Sequence, residues 1–269
     1  MPMTTAPLPY EGRLFRSRNK KFEETILFVP FFGAVQRELA RHVKFVMDLG
    51  FDAVTFDLEK TPALMDFSEG LFTPLKNWKE LTSVLKIPIS SRNKFGIKHI
   101  YADQIENMLN LIPGKKIVYS FSNPSGAAIE ALARRKCSDV VGLLCDSGPS
   151  GKFIDSFFNL AKQEWKIQFL PLTFSMAPVL SLLWSPHMHK DIHTHLESFP
   201  KGFKILSIRG WKDPLIPPDH IDAIFEPHKN IDWRKLSLPE AGHLTGLRDF
   251  RAEYVPAVEK FLSEIAKTS

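Results

Sequence analysis

Residues 116–132 read KIVYSFSNPSGAAIEAL, which runs from an apolar strand into a helix through small and polar residues. Ser122 lies at the turn between the two elements. A sharp turn from strand to helix exposes a serine hydroxyl at the edge of a sheet, where it can act as a nucleophile. The usual pattern there is small-x-Ser-x-small with outer glycines, whereas this chain has Ser120 and Pro124. Assigning Ser122 as a nucleophile therefore depends on an acid and a histidine further along the chain.

Apolar runs rich in β-forming residues alternate with stretches of helical spacing. The pattern predicts strands at 25–31, 51–56, 116–121, 140–145, 203–208 and 233–238, an edge hairpin near the N-terminus, a short helix within 75–85 and a long C-terminal helix over 247–266. Repeated strand-helix-strand units form a mostly parallel sheet with helices on both faces. Residues 150–200 interrupt the pattern, because they are helical, aromatic and without a clear strand. We therefore predict an α/β core of residues 1–149 and 201–269, and a helical cap insertion of residues 150–200.

Length and composition are those of a globular protein. The 269 residues are 44% hydrophobic and 24% charged, with a net charge of +5 carried by scattered basic residues. Scattered charge predicts solvated faces rather than a nucleic-acid surface. Two cysteines do not form a disulfide framework in a chain of this length. The N-terminus lacks the apolar core of a signal peptide, and residues 169–184 are too short and too rich in proline for a membrane span. The expectation is a cytoplasmic protein without a membrane span. The sequence leaves open whether the chain forms a homodimer.

An acid and a histidine follow two later strands in an informative order. Asp213 lies in RGWKDPLIP after the strand at 203–208, and His243 lies in PEAGH after the last strand. The carboxyl ends of parallel strands share one edge of a sheet, so we expect Ser122, Asp213 and His243 to meet there. His243 would take the proton of the serine hydroxyl, and Asp213 would hold the imidazole in the right tautomer. The three residues are thus candidates for a catalytic triad in the order Ser, acid, His.

Two alternatives concern the same positions. Asp146 also follows a strand and is the rival acid; we prefer Asp213 because it lies in the context Gly-x-x-Asp-x-x-x-Pro. Ser122 alternatively serves as an ordinary N-cap of the helix that follows it. The oxyanion of an acyl-transfer reaction needs two donors. We predict that these are the backbone N–H of Asn123 and that of Phe32, in the loop after the first parallel strand.

Four segments carry a resemblance to a known family. They are VPFFGA (29–34), SFSNPSG (120–126), RGWKDPLIP (209–217) and PEAGHL (239–244). With them the chain resembles the α/β-hydrolases from about residue 25 to its end. The pairing of FSNPSG with CDSGPSG (145–151) is similar to relatives of transmembrane protein 53, which implies a serine-hydrolase scaffold of unsettled substrate.

The predicted function is that of a serine hydrolase. It would cleave a small-molecule ester or thioester with an apolar acyl group, through an acyl-enzyme and without a cofactor. The aromatic residues of 150–184 and Phe32 are candidates for the acyl-binding wall. The first-strand loop reads PFFG and lacks His-Gly, and the elbow is irregular. A non-catalytic ligand-binding protein on the same fold therefore remains an alternative, as does a peptidase or an acyltransferase using the same triad.

Residues 187–195 read HMHKDIHTH and contain four histidines. His189 and His193 are four residues apart and would share a helical face, a spacing that can hold zinc. Asp191 is the only carboxylate within the group, and no HExxH occurs. A solvated segment of the cap is the favoured interpretation, and we predict no metal.

Overall fold

The computed structural model describes residues 8–59, 88–163 and 170–268. The strands are β1 (Arg13–Phe15), β2 (Thr25–Val29), β3 (Asp52–Thr55), β4 (Lys116–Phe121), β5 (Val140–Asp146), β6 (Phe203–Gly210) and β7 (Ile231–Leu238). They form one seven-stranded sheet in the order β1-β3-β2-β4-β5-β6-β7. β1 pairs antiparallel with β3, and the other neighbouring pairs are parallel. The predicted mostly parallel sheet is confirmed.

Helices connect the strands. They are a 3-10 helix (Gln36–Leu39), α1 (Ala40–Leu49), α2 (Ile97–Leu111), α3 (Ser125–Arg134), α4 (Phe153–Gln163), α5 (Leu170–Trp184), α6 (Met188–Glu197), α7 (Pro218–Phe225), α8 (Gly246–Asp249) and α9 (Arg251–Ile265). Two apolar clusters lie on opposite faces of the sheet. Leu27 and Val29 of β2 enter one cluster, and Ile26 and Phe28 enter the other. A strand buried on both faces explains why its sequence is continuously apolar rather than alternating.

Two local predictions were wrong. No edge hairpin forms near the N-terminus in the described residues; β1 pairs with β3 instead. The buried carboxylate of Asp52 at the start of β3 accepts hydrogen bonds of 2.9 Å from Arg16, Ser17 and Lys20, which fixes the chain after β1. The predicted C-terminal helix is divided into α8 and α9, because Phe250 leaves helical geometry with φ −124° and ψ 44°. The helix predicted within 75–85 lies outside the described residues.

The inserted segment 150–200 is helical, as predicted, and has no strand among its described residues. Its helices pack on the core through aromatic and charged contacts. Trp184 of α5 stacks on Phe153 at 5.4 Å between ring centroids and meets the edge of Tyr101 at 5.7 Å. Met188 and Ile192 of α6 lie over α3. Division of the chain into a core and a cap stays a prediction. No helix within the described ranges is both long and apolar enough to cross a membrane.

Candidate active site

The turn between β4 and α3 has the sharp geometry that the sequence predicts. Ser122 adopts a left-handed backbone conformation with φ 55°. Its N–H donates to the carbonyl of Asp146 on β5 at 2.8 Å, and its carbonyl accepts from the N–H of Ser125 at 3.1 Å. A Cβ on Gly148 would lie 2.3 Å from the Ser122 carbonyl oxygen. A strained, non-glycine backbone persists where its surroundings over-determine it, and Ser122 is held in this way from both sides.

The three predicted triad residues lie within hydrogen-bonding distance of one another. Ser122 Oγ is 3.1 Å from His243 Nε2, and His243 Nδ1 is 2.7 Å from Asp213 Oδ2. Asp213 is buried, and its second oxygen accepts from the N–H groups of Leu215 at 2.8 Å and Ile216 at 2.9 Å. An acceptor at Asp213 favours the tautomer with the proton on Nδ1, which leaves Nε2 free to accept the proton of the serine hydroxyl.

Asp146, the rival acid, has other partners. Its Oδ1 accepts from the hydroxyl of Ser147 at 3.0 Å, and its Oδ2 accepts from the hydroxyl of Tyr254 at 2.6 Å. In the part of the chain that the structure describes, Asp146 makes no hydrogen bond to His243. Burial raises the pKa of Asp146 to about 6, and the neighbouring charge of Asp213 adds to this rise. The geometry therefore favours Asp213 as the partner of the imidazole.

The two predicted oxyanion donors have no competing acceptor within the described part of the chain. Among the hydrogen bonds of the described residues, neither the N–H of Phe32 nor that of Asn123 is used. Pro124 has helical φ −55° and ψ −17° at the N-cap of α3, so its missing N–H does not affect the donor on Asn123. The side chain of Asn123 accepts from the N–H of Ser150 at 3.2 Å, which links the elbow to the start of the inserted segment. Both backbone donors thus remain available for a ligand.

Comparison with known proteins identifies the fold. No family model and no curated protein matches the chain. An esterase of Pyrococcus furiosus aligns over 97% of this chain and 92% of its own, with TM-score 0.61 and 12% identity. The mouse α/β-hydrolase domain-containing protein 10 aligns over 94% and 93%, with TM-score 0.56 and 13% identity. The chain has the α/β-hydrolase fold. A monoacylglycerol lipase of Paleococcus ferrophilus shares this hydrolase fold, with TM-score 0.58 and 13% identity over 94% of this chain and 98% of the lipase.

Among the described residues, no histidine of the group 187–195 makes a hydrogen bond to the candidate triad. His193 Nδ1 is 2.8 Å from His228 Nε2, and the two rings are stacked. His195 is largely buried, and burial lowers its pKa to about 4. Within residues 8–59, 88–163 and 170–268, no three histidine, cysteine or acidic side chains form a group that could hold a metal ion. The spacing of His189 and His193 does not produce a zinc site there.

Sequence reasoning missed one polar residue beside the triad. Ser147 accepts a hydrogen bond of 3.0 Å from the N–H of Leu244, the residue directly after His243. One signal in the sequence pointed to it, because Ser147 follows Asp146 at the carboxyl end of β5, the edge where ligands meet open α/β sheets. Tyr254 on α9 is the second hydrogen-bond partner of the Asp146 carboxylate, and no signal in the sequence pointed to it.

Proposed function

We propose that this chain is a serine hydrolase that cleaves an ester or thioester with an apolar acyl group. The observation that carries the proposal is the continuous path from Ser122 Oγ to His243 and on to Asp213, with contacts of 3.1 and 2.7 Å. Solved structures with the same fold include an esterase and a monoacylglycerol lipase, which agrees with this reaction class. The finer resemblance to relatives of transmembrane protein 53, the cytoplasmic location and a homodimer stay predictions.

In the proposed mechanism, Ser122 Oγ attacks the carbonyl carbon of the substrate while His243 Nε2 takes the hydroxyl proton. Asp213 stabilises the imidazolium that forms. The N–H groups of Asn123 and Phe32 would bind the oxyanion, and one such donor is worth about 10²- to 10³-fold in kcat. His243 then donates the proton to the leaving group, which departs and leaves an acyl-enzyme. Water, activated by His243, attacks the acyl carbonyl and restores Ser122. No cofactor is needed for these steps.

The apolar acyl preference rests on the residues around the elbow. Phe153 and Trp184 are buried against each other, so they belong to the packed interior rather than to an open wall. Phe32 is partly buried against the apolar cluster on the same face as α3 and lies in the predicted oxyanion loop. It is therefore the better candidate for a side chain that contacts the acyl group.

An active-site-directed fluorophosphonate tests the nucleophile. We expect one adduct on the wild-type protein by intact mass, its peptide to contain Ser122, and no adduct on Ser122→Ala. Ser138→Ala removes an exposed serine hydroxyl in the turn after α3 and serves as the matched control. Undiminished labelling of Ser122→Ala would contradict the assignment.

A series of p-nitrophenyl esters with acyl chains of increasing length measures the acyl preference. A kcat/KM that falls with chain length would contradict an apolar pocket.

The second candidate is a ligand-binding protein that does not turn over a substrate. It is favoured by the absent outer glycines of the elbow and by the PFFG loop, which lacks His-Gly. A wild-type protein that is folded but not labelled would favour it over the hydrolase. A peptidase or acyltransferase using the same triad is distinguished by its products. A peptidase cleaves a peptide amide bond, and in an acyltransferase transfer to an added amine or alcohol acceptor outcompetes hydrolysis by water. Comparing Asp213→Asn with Asp146→Asn identifies the acid; turnover lost only in Asp146→Asn would reverse our assignment.

A further inference from the structure

The dipeptide Asp146–Ser147 lies at the end of β5, between β4, which precedes Ser122, and β6, which precedes Asp213. The carbonyl of Asp146 accepts from the N–H of Ser122 at 2.8 Å. The N–H of Ser147 donates to the carbonyl of Ile208 at 2.8 Å, on the strand that leads to Asp213. Backbone bonds therefore fix this dipeptide between the nucleophile and the acid.

The side chains of the same dipeptide reach the third part of the site, the loop that carries His243. The N–H of Leu244 donates to Ser147 Oγ at 3.0 Å, and this hydroxyl donates to Asp146 Oδ1 at 3.0 Å. The hydroxyl of Tyr254 on α9 donates to Asp146 Oδ2 at 2.6 Å. The chain that follows His243 is thus attached to one buried carboxylate at two points. None of these bonds involves the side chains of the triad.

Three residues joined by these bonds share an unusual backbone conformation. Ser122, Ser147 and Leu244 are not glycine, yet their φ values are 55°, 57° and 56°. The left-handed conformation costs an L-residue about 1–2 kcal/mol, and glycine adopts it without that cost. A turn alone would be better served by glycine at position 147. A serine at this position gains two hydrogen bonds through its hydroxyl, and strain of this kind concentrates at functional sites.

We propose that Ser147 is a positioning residue of the hydrolase, and this inference rests on the proposed function of the same site. Its hydroxyl, oriented by Asp146, fixes the peptide between His243 and Leu244 and so directs the imidazole toward Ser122 and Asp213. Ser147 acts through His243 and does not itself touch the substrate.

The variant Ser147→Gly separates positioning from stability. It removes the hydroxyl and its two hydrogen bonds but also relieves the left-handed strain, so the two effects oppose each other and the melting temperature should change little. We expect kcat and the rate of fluorophosphonate labelling to fall about ten- to hundredfold with little change in KM, because small misplacements of a catalytic group carry penalties of this size. Ser147→Ala removes the same hydroxyl and retains the strain. It should lose the same activity, and a lower melting temperature should distinguish it from Ser147→Gly.

Lys136→Gly is the matched control. Lys136 is exposed, has φ 54°, and lies at the end of α3 remote from the elbow, so strain is relieved there without loss of a hydrogen bond. Its kinetics should equal those of the wild type. Active wild type together with unchanged kcat in Ser147→Gly would overturn the positioning role.

Residue-resolved amide exchange adds a readout that does not require turnover. Exchange at Leu244 should accelerate at least tenfold in Ser147→Gly and stay unchanged in Lys136→Gly. Unaltered protection of Leu244 would refute the inference even for a wild type without activity, whereas absent labelling of the wild type counts against the proposed function alone.

Discussion

Asp146→Asn should change how the stability of this protein depends on pH. Burial raises the pKa of Asp146 to about 6 from its ordinary 3.8; hydrogen bonds from Tyr254 and Ser147 limit that rise, while the charge of Asp213 adds to it. The imidazole of His42 lies 3.9 Å from the carboxylate, but it stays neutral because burial lowers its pKa to about 3. Asparagine retains the shape of the side chain and a carbonyl acceptor for Tyr254, and it removes the ionisation.

The sign and size follow from proton linkage. A carboxyl with a higher pKa in the folded than in the unfolded protein binds more protons when folded, so the free energy of unfolding falls as the pH rises from 3.8 to about 6. At 1.36 kcal/mol for each pH unit, this window corresponds to about 3 kcal/mol in full. The stability of Asp146→Asn minus that of the wild type should therefore become more positive by about 2 kcal/mol between pH 4 and pH 7. Titrating groups that do not interact with Asp146 behave alike in both proteins and cancel in the difference.

Urea unfolding of both proteins at half-unit steps from pH 4 to pH 7.5 measures this difference. Asp139→Asn is the control, because the pKa of Asp139 is shifted in the opposite direction to that of Asp146. Burial raises the pKa of Asp139, but hydrogen bonds from Arg135 and Lys116 outweigh burial and lower it overall. The stability that Asp139 contributes is fully present above its ordinary pKa of 3.8, so the difference between Asp139→Asn and the wild type should stay almost level above about pH 5. A difference for Asp146→Asn that falls with pH, or that stays as level as that of the control, would refute the account of a carboxyl whose pKa is raised by burial.

Three further variants test packing and charge elsewhere. Gly148→Ala would place a Cβ 2.3 Å from the carbonyl oxygen of Ser122, so we expect fluorophosphonate labelling to fall at least tenfold and the melting temperature to drop by several degrees, because the elbow must shift. His42→Phe removes a buried imidazole whose lowered pKa costs stability below about pH 6.5, so its melting temperature relative to wild type should be higher at pH 5 than at pH 8. Lys98→Met removes an ammonium 3.0 Å from Glu130, where both side chains are fully buried, and urea unfolding should show a loss of about 3 kcal/mol; a loss below 1 kcal/mol would mean that the remaining cations compensate the carboxylate.

Periodic features were predictable from the sequence, because they depend on residues close together in the chain. The β4 bounds match the predicted strand at 116–121, since the apolar run begins directly after Pro113-Gly114. The proximity of Ser122, Asp213 and His243 also followed, because each residue comes after a parallel strand and such strands end at one edge.

Contacts between distant segments were not predictable in this way. The pairing of β1 with β3 depends on Asp52, whose partners Arg16 and Lys20 are more than thirty residues away. The hydrogen bond from Leu244 to Ser147 joins residues 97 apart and requires left-handed backbone at both. A pattern of neighbouring residues cannot predict such a hydrogen bond, because the bond depends on the tertiary arrangement of distant segments and not on local propensity.

The elbow shows why the missing glycines do not exclude a nucleophile at Ser122. Glycine is required in a turn where another backbone approaches closely or where φ is positive. Here Ser120 is fully buried within β4 and its hydroxyl donates to the carbonyl of Leu144 at 2.9 Å, so a serine satisfies the first outer position. Pro124 has helical φ and needs no donor. A close approach to the backbone of Ser122 comes instead from Gly148 on the neighbouring loop, where a Cβ would lie 2.3 Å from the Ser122 carbonyl oxygen. In this chain, glycine is therefore required in the segment packed against the elbow and not in the elbow itself. A search for G-x-S-x-G alone would overlook a serine with the same backbone geometry.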